Sequence, residues 1–254
     1  MIKTIDLNAD IGESYGNYII GDDENLMDYV TSVSIACGFH AGDPNVMEKT
    51  VRLAVNKNLN IGAHPGFPDL MGYGRRFIDA TPSEIKNYVT YQLGALNGFL
   101  KKYKKNISFV KPHGALYRLV ETNEDFAIAF IESVIEFGDE VSIITEENTV
   151  LEKLALSYKI KVYKEFFPDL QYDDNGNWII ERKKRESRPE EVYNRAFKAV
   201  RYNKYVTVGG KIMETHPDTL CIHGDSKGCV DVARFLKEKF EQDGIKIMSF
   251  SKIS

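Results

Sequence analysis

Asn60-Ile61-Gly62-Ala63-His64-Pro65-Gly66 reads as a short strand over 60–63 that stops at a proline–glycine turn with a histidine on its last step. Proline cannot donate to a sheet ladder and glycine supplies turn conformations, so the strand ends there and the imidazole sits on the rim of the sheet. The arrangement recurs at Phe39-His40-Ala41-Gly42, Pro112-His113-Gly114, His216-Pro217 and His223-Gly224-Asp225. At least four of these histidines directly follow a predicted strand. Working outward, β-rich runs near 2–7, 32–36, 60–63, 107–111, 141–144, 160–164, 219–222 and 245–249 alternate with helix-length segments, the pattern of parallel βα units. An open doubly wound sheet would gather its polar residues at a switch point, whereas a barrel draws them from the carboxyl ends of many strands. Asp10 follows strand one, Lys111 strand four and Glu165 strand six, so an α/β, TIM-barrel-like architecture is expected.

Helix starts are marked by Asp43-Pro44, by the capping box Thr81-Pro82-Ser83-Glu84, by Thr122 with Asp125, and by Ser187 with Pro189 and Glu190. Asn175-Gly176, between Tyr172 and the apolar pair Trp178 and Ile180, predicts a hairpin excursion near 171–181 inside one barrel domain, 1–254. A chain of 254 residues suits a single barrel of this kind. Lys and Arg number 33 against 37 Asp and Glu, a net charge of −4 without a basic tract, which argues against nucleic acid and for a small-molecule ligand. No apolar run reaches membrane-spanning length, and the N-terminus enters a strand-like segment without the charged and apolar regions of a signal peptide. Cys37, Cys221 and Cys229 have no CxxC spacing, so a cytoplasmic protein without a disulfide framework is expected.

Three chemistries fit the histidine-rich rim. Histidines and carboxylates, with Asp10, His64 and His113 as candidate ligands, could hold a divalent metal that polarises an amide carbonyl, although no HxH or HExxH spacing is present. The same groups could work without metal, with Asp10 or a histidine as general base and Lys111 and His113 facing a developing oxyanion. Cys37 offers a nucleophile, but a small buried cysteine explains it as well. Arg75, in Gly72-Tyr73-Gly74-Arg75-Arg76, could clamp a substrate carboxylate. Gly209-Gly210-Lys211 lacks the first glycine of a phosphate-cradling loop and is followed by Ile212, so any ATP used must bind unconventionally or on another chain.

Five motifs together, Asp6-Leu7-Asn8-Ala9-Asp10-Ile11-Gly12-Glu13, Ile35-Ala36-Cys37-Gly38-Phe39-His40-Ala41-Gly42-Asp43, Ile61-Gly62-Ala63-His64-Pro65-Gly66-Phe67-Pro68-Asp69, Val110-Lys111-Pro112-His113-Gly114-Ala115-Leu116-Tyr117 and Ile222-His223-Gly224-Asp225, resemble the LamB/YcsF family in its own order and over nearly the whole chain. The resemblance implies a (β/α)7 barrel of the glycoside hydrolase/deacetylase type, so that one of the eight strands lies outside the closed barrel. It implies ring opening of 5-oxo-L-proline to L-glutamate with ATP hydrolysis, beside 5-oxoprolinase subunits B and C, with the ATP site on or shared with those partners. Asp10, His64, Lys111 and His113 are the catalytic candidates. Asn8, His40, Asp43, Arg75, Glu165, His223 and Asp225 are the substrate-binding candidates. The attacking water is expected at Asp10 or a neighbouring histidine, the substrate carboxylate at Arg75 or Lys111, and developing charge at His113 and His223. Leu170 stands where the family pattern has arginine, while Glu165, Asp169 and Tyr172 match it, and the Lys/Arg-rich stretch after Arg182 departs from the pattern. The alternatives are a self-sufficient metal-dependent deacetylase or amidohydrolase acting on a carbohydrate-like or cyclic amide substrate, and a scaffold subunit.

Overall fold

The computed structural model describes residues 3–180 and 188–252. In chain order it contains β1 (Lys3–Ile11), α1 (Asp23–Leu26), β2 (Ser32–Ala36), α2 (Pro44–Asn56), β3 (Asn60–His64), α3 (Pro82–Lys101), β4 (Phe109–Val110), α4 (Gly114–Thr122) and α5 (Glu124–Phe137). There follow β5 (Ser142–Glu146), α6 (Val150–Ser157), β6 (Val162–Phe166), α7 (Pro189–Tyr202), β7 (Lys204–Val206), β8 (Ile212–Glu214), β9 (Thr219–His223), α8 (Cys229–Gln242) and β10 (Ile245–Ile247). Among the described residues, seven parallel strands close in the order β1-β2-β3-β4-β5-β6-β9, with β9 returning to β1. The eighth expected strand, β10, pairs with the first residues of β1, Lys3 to Ile5, and stays outside the barrel.

Alternation along β1 decides what fills the barrel. Successive side chains of a strand point to opposite faces, so Ile5, Leu7, Ala9 and Ile11 turn outward into the apolar layer under the helices, with Val51, Ile85, Val89, Leu93, Leu116 and Phe130. Each of the valine, leucine, isoleucine and phenylalanine side chains, fully buried, contributes about 1.5–3 kcal/mol relative to exposure. Asp6, Asn8 and Asp10 turn inward. β1 therefore runs through Asp10 to Ile11, where sequence alone ended the strand at residue 7, because inward polar residues look like a strand end. Glu165 likewise lies within β6, not after it. At the closed end, Asp6 accepts from the hydroxyls of Ser32 (2.6 Å), Thr31 (2.8 Å) and Thr219 (2.5 Å), yet burial still pushes its carboxyl up to about 6.

The capping signals hold at Asp43 and at Thr81, whose box with Glu84 is complete. The α5 signal is displaced by one residue. Asn123 caps it, accepting from the N–H groups of Asp125 and Phe126, while the Thr122 hydroxyl closes α4 by donating to the Arg118 carbonyl. Pro189 opens α7 as expected, and Ser187 lies outside the described residues. Tyr172 and Trp178 pair antiparallel around Asn175-Gly176, with Gly176 at φ +88°. β7 and β8 form an antiparallel pair that the sequence reading missed. Gly209 and Gly210 make its turn, where the Gly209 N–H donates to Asp174.

Candidate active site

Barrel register brings the strand-end residues together. Asp10 stands level with His223 across β1–β9, and Asn8 with Cys221. Lys111 leaves β4 directly and crosses the interior, 1% exposed, to place its ammonium 2.6 Å from Asp10 Oδ1, 3.0 Å from Glu165 Oε1 and 3.3 Å from Asn8 Oδ1. Asn8 in turn donates to Glu165 Oε1 and Thr219, and Tyr117 donates to Glu165 Oε2. Burial would raise the Asp10 carboxyl, but His64 and the Lys111 ammonium beside it hold it well below the usual carboxylate range. Burial likewise opposes the Lys111 charge, and the carboxylates of Asp10 and Glu165 outweigh it, so the ammonium stays protonated. Lys111 is therefore a saturated cation whose first effect is to hold Asp10 ionised, not a free charge aimed at the cavity.

The imidazoles form a second layer. His64 Nδ1 lies 2.8 Å from the Lys111 carbonyl, and His64 Nε2 is 2.9 Å from His113 Nδ1 and 3.4 Å from Asp10 Oδ2. His113 Nε2 lies 2.8 Å from the Tyr73 carbonyl, and its ring stacks flat on His40 at 3.7 Å. Burial, with His40 and His64 adjacent, keeps the His113 imidazole well below its ordinary pKa. His40 Nε2 meets Glu13 Oε1 at 3.3 Å, and Tyr73 donates to Glu13 Oε2 at 2.5 Å. His223 is oriented from behind by Asp169, 3.0 Å from its Nδ1, which leaves Nε2 facing Asp10 Oδ2 at 3.9 Å.

These groups open on a cavity of about 30 Å³, room for roughly one water. Asp10, His64, Arg75, Lys111, His113 and His223 line it, and Trp178, Ile179 and Ile180 of the 171–180 excursion roof it with Phe167 and Leu170. Leu170, with Phe167, makes this wall apolar. Of the remaining candidates, Asn8, His40 and Glu165 stand behind the lining as its supports, and Asp225 pairs with Arg75 at 2.6 Å. Asp43 is a correction. It caps α2, accepts also from the Gly16 N–H, and does not line the cavity. His216 lies elsewhere, exposed against Glu147. Cys37 is not an activated nucleophile, since burial pushes its thiol up to about 12. Sequence reading passed over Glu13, Tyr73, Tyr117, Asp169 and Cys221 as site residues. Glu13 stood three places after Asp10, and Tyr73 between two glycines, but neither spacing says where a side chain points.

A closed parallel (β/α)7 barrel whose carboxyl-terminal rim carries histidines, carboxylates and a buried lysine defines the class of this protein. The match to the LamB/YcsF family model covers residues 5–254, and the chain belongs to that family. It is 43% identical over 248 residues, 96% of this chain and 98% of the relative, to the A subunit of 5-oxoprolinase from Staphylococcus epidermidis. Among solved structures it resembles the lactam utilization protein from Thermus thermophilus, with a TM-score of 0.87, 37% identity, and coverage of 96% of this chain and 99% of that one. A family 4 carbohydrate esterase from Streptomyces lividans, covering 98% of this chain and 95% of that one, shares the fold alone, with a TM-score of 0.51 and 8% identity. The deacetylase alternative therefore gains nothing beyond the barrel.

Proposed function

We propose that this chain is the A subunit of an ATP-dependent 5-oxoprolinase, opening the lactam of 5-oxo-L-proline to L-glutamate beside subunits B and C. The reading is supported by its relatives' names and carried by one observation, the convergence of Lys111, Asp10, His64, His113 and His223 on a single small cavity. A five-membered lactam is a resonance-stabilised amide. Phosphorylation of its oxygen at the expense of ATP would weaken that resonance and give water a better electrophile. The chain lacks a phosphate-cradling loop, which puts nucleotide chemistry on or shared with the partners.

His223 is the best-placed proton acceptor. Asp169 holds its Nδ1–H, so Nε2 presents a lone pair toward the cavity, the same orienting logic by which a carboxylate sets the tautomer of a catalytic histidine. Asp10, kept ionised by Lys111, faces the imidazolium formed when His223 takes a proton from water. Water oxygen bonds to the activated ring carbon, the C–N bond breaks with the departing nitrogen receiving the proton, and the γ-glutamyl phosphate left by the phosphorylation is hydrolysed by a second water to glutamate and inorganic phosphate. Arg75, 12% exposed on its side chain and already paired with Asp225, offers its remaining guanidinium N–H groups to the substrate carboxylate. A lactam needs more than the room of one water, so the roof over 178–180 must move for it to enter.

The test is ATP-dependent glutamate release by the chain reconstituted with subunits B and C. His223→Asn in the assembled complex should lower turnover at least roughly 100-fold, the scale of general-base catalysis. Glutamate release that continues unchanged when this chain is omitted would overturn the reading.

A further inference from the structure

We propose that Glu13, His64 and His113 form a divalent transition-metal site, with zinc the ion best matched to its donors. A backbone carbonyl can only accept, so the 2.8 Å contact to the Lys111 carbonyl places a proton on His64 Nδ1, and the 2.8 Å contact to the Tyr73 carbonyl places one on His113 Nε2. A neutral imidazole carries a single N–H. His64 Nε2 and His113 Nδ1 therefore face each other at 2.9 Å as two lone pairs, with Glu13 Oε1 3.8 Å from His113 Nδ1. With both imidazoles neutral, three acceptors converge with no hydrogen among them, and the repulsion is relieved by a cation between them: a metal ion or, failing that, an added proton that would make one ring an imidazolium.

The spacing and the supports suit a metal. Tetrahedral zinc at about 2.0–2.1 Å from each ligand sets donor atoms about 3.3 Å apart, and the observed 2.9 and 3.8 Å straddle that value. The His64 and His113 rings stand at 88° to each other, so their in-plane lone pairs can meet at one point. His40 also brings a ring nitrogen within 4.8 Å of the other donors, but its ring lies parallel to His113 within 4°. Parallel stacked rings cannot both aim in-plane lone pairs at one ion, so His40 is assigned to orienting Glu13. Every ligand has its outer support: the Lys111 carbonyl behind His64, the Tyr73 carbonyl behind His113, and the Tyr73 hydroxyl on Glu13 Oε2. Such carbonyl and hydroxyl partners fix the tautomer and orientation of metal ligands. Two histidines and a carboxylate leave the fourth position open, on the side where His64 and His113 line the cavity. Asp10 groups instead with Cys221 and His223.

The site is tested on the isolated chain, without an activity assay, so its outcome is independent of the 5-oxoprolinase reading. Protein stripped with a chelator is reloaded with Zn²⁺ or Co²⁺, freed of excess ion, and measured by elemental mass spectrometry and by the visible d–d absorption of Co²⁺. The parent should retain about one ion per chain, as a site with three protein ligands does. His113→Ala and the near-isosteric Glu13→Gln, each shown folded by circular dichroism, should lose at least about tenfold in affinity. His216→Ala, at the exposed histidine on Glu147, should bind as the parent does. Should His113→Ala fail to fold, Glu13→Gln and the parent's own stoichiometry decide. A parent that retains neither ion at micromolar concentration overturns the proposal, and ring ¹⁵N shifts would then show the His64–His113 contact as a shared proton. Full retention by folded Glu13→Gln overturns it as well.

Discussion

Lys111 shows how one buried charge organises its neighbours. Lys111→Met keeps the stem but leaves Asp10 and Glu165 facing each other without a cation. Removing one member of a buried ion pair costs about 3–5 kcal/mol, and Asp10 loses one of the cations that keep it ionised. We expect turnover of the assembled complex to fall at least roughly 100-fold, accompanied by a lower melting temperature. Turnover within a few-fold of the parent, with subunits assembled, would remove Lys111 from the site. Glu121 carries a different consequence. It is buried against Thr145 and Trp178, near Arg118, and faces Glu146 and Glu165; burial raises its carboxyl from 4.5 to about 7. The folded chain thus holds this proton more tightly than the unfolded chain. Below about pH 4.5 both states are protonated and the group costs nothing. As pH rises toward 7 the unfolded chain ionises first, and the folded state loses on the order of 3 kcal/mol. Glu121→Gln should therefore flatten the fall in melting temperature between about pH 5 and about pH 8, read by calorimetry; an unchanged slope would contradict this burial cost.

Gly62 in β3 is required by a close approach. A Cβ there would lie 2.2 Å from the ring of Phe109, which is fully buried between β3 and β5. Gly62→Ala should cost at least about 1–3 kcal/mol, the overpacking range, measured as a shifted denaturation midpoint with unchanged slope. Thr81→Ala, by contrast, should cost only about 1 kcal/mol, because the α3 capping box is solvent-exposed. The 171–180 excursion is held down by Arg118, whose guanidinium donates to the Trp178 carbonyl at 2.6 Å and lies 4.7 Å from its ring. Its turn was legible in Asn175-Gly176, since turn chemistry is a property of adjacent residues. β7 and β8 were not, because each has three residues and the Gly-Gly turn resembled a fragment of a nucleotide loop.

The barrel gathers His64, Lys111, His113 and His223 at one end, and its sequence has no phosphate-cradling loop. We expect the isolated chain to show negligible ATP-dependent release of glutamate from 5-oxoproline and to gain it on adding subunits B and C; robust coupled turnover by the chain alone would contradict the division of labour. Alternating strands and helices, histidines at strand ends and most helix caps are legible in the sequence, because they follow from neighbours within a few residues and from the preferences of glycine, proline and capping side chains. The contents of the barrel could not. Asn8 meets Glu165 across 157 residues of chain, and Lys111 meets Cys221 across 110. These contacts exist only once strand register and closure bring the inward faces of β1, β4, β6 and β9 together. The same closure put Glu13 beside the histidines, since direction in space, which one-dimensional spacing does not contain, decides which carboxylate an imidazole meets.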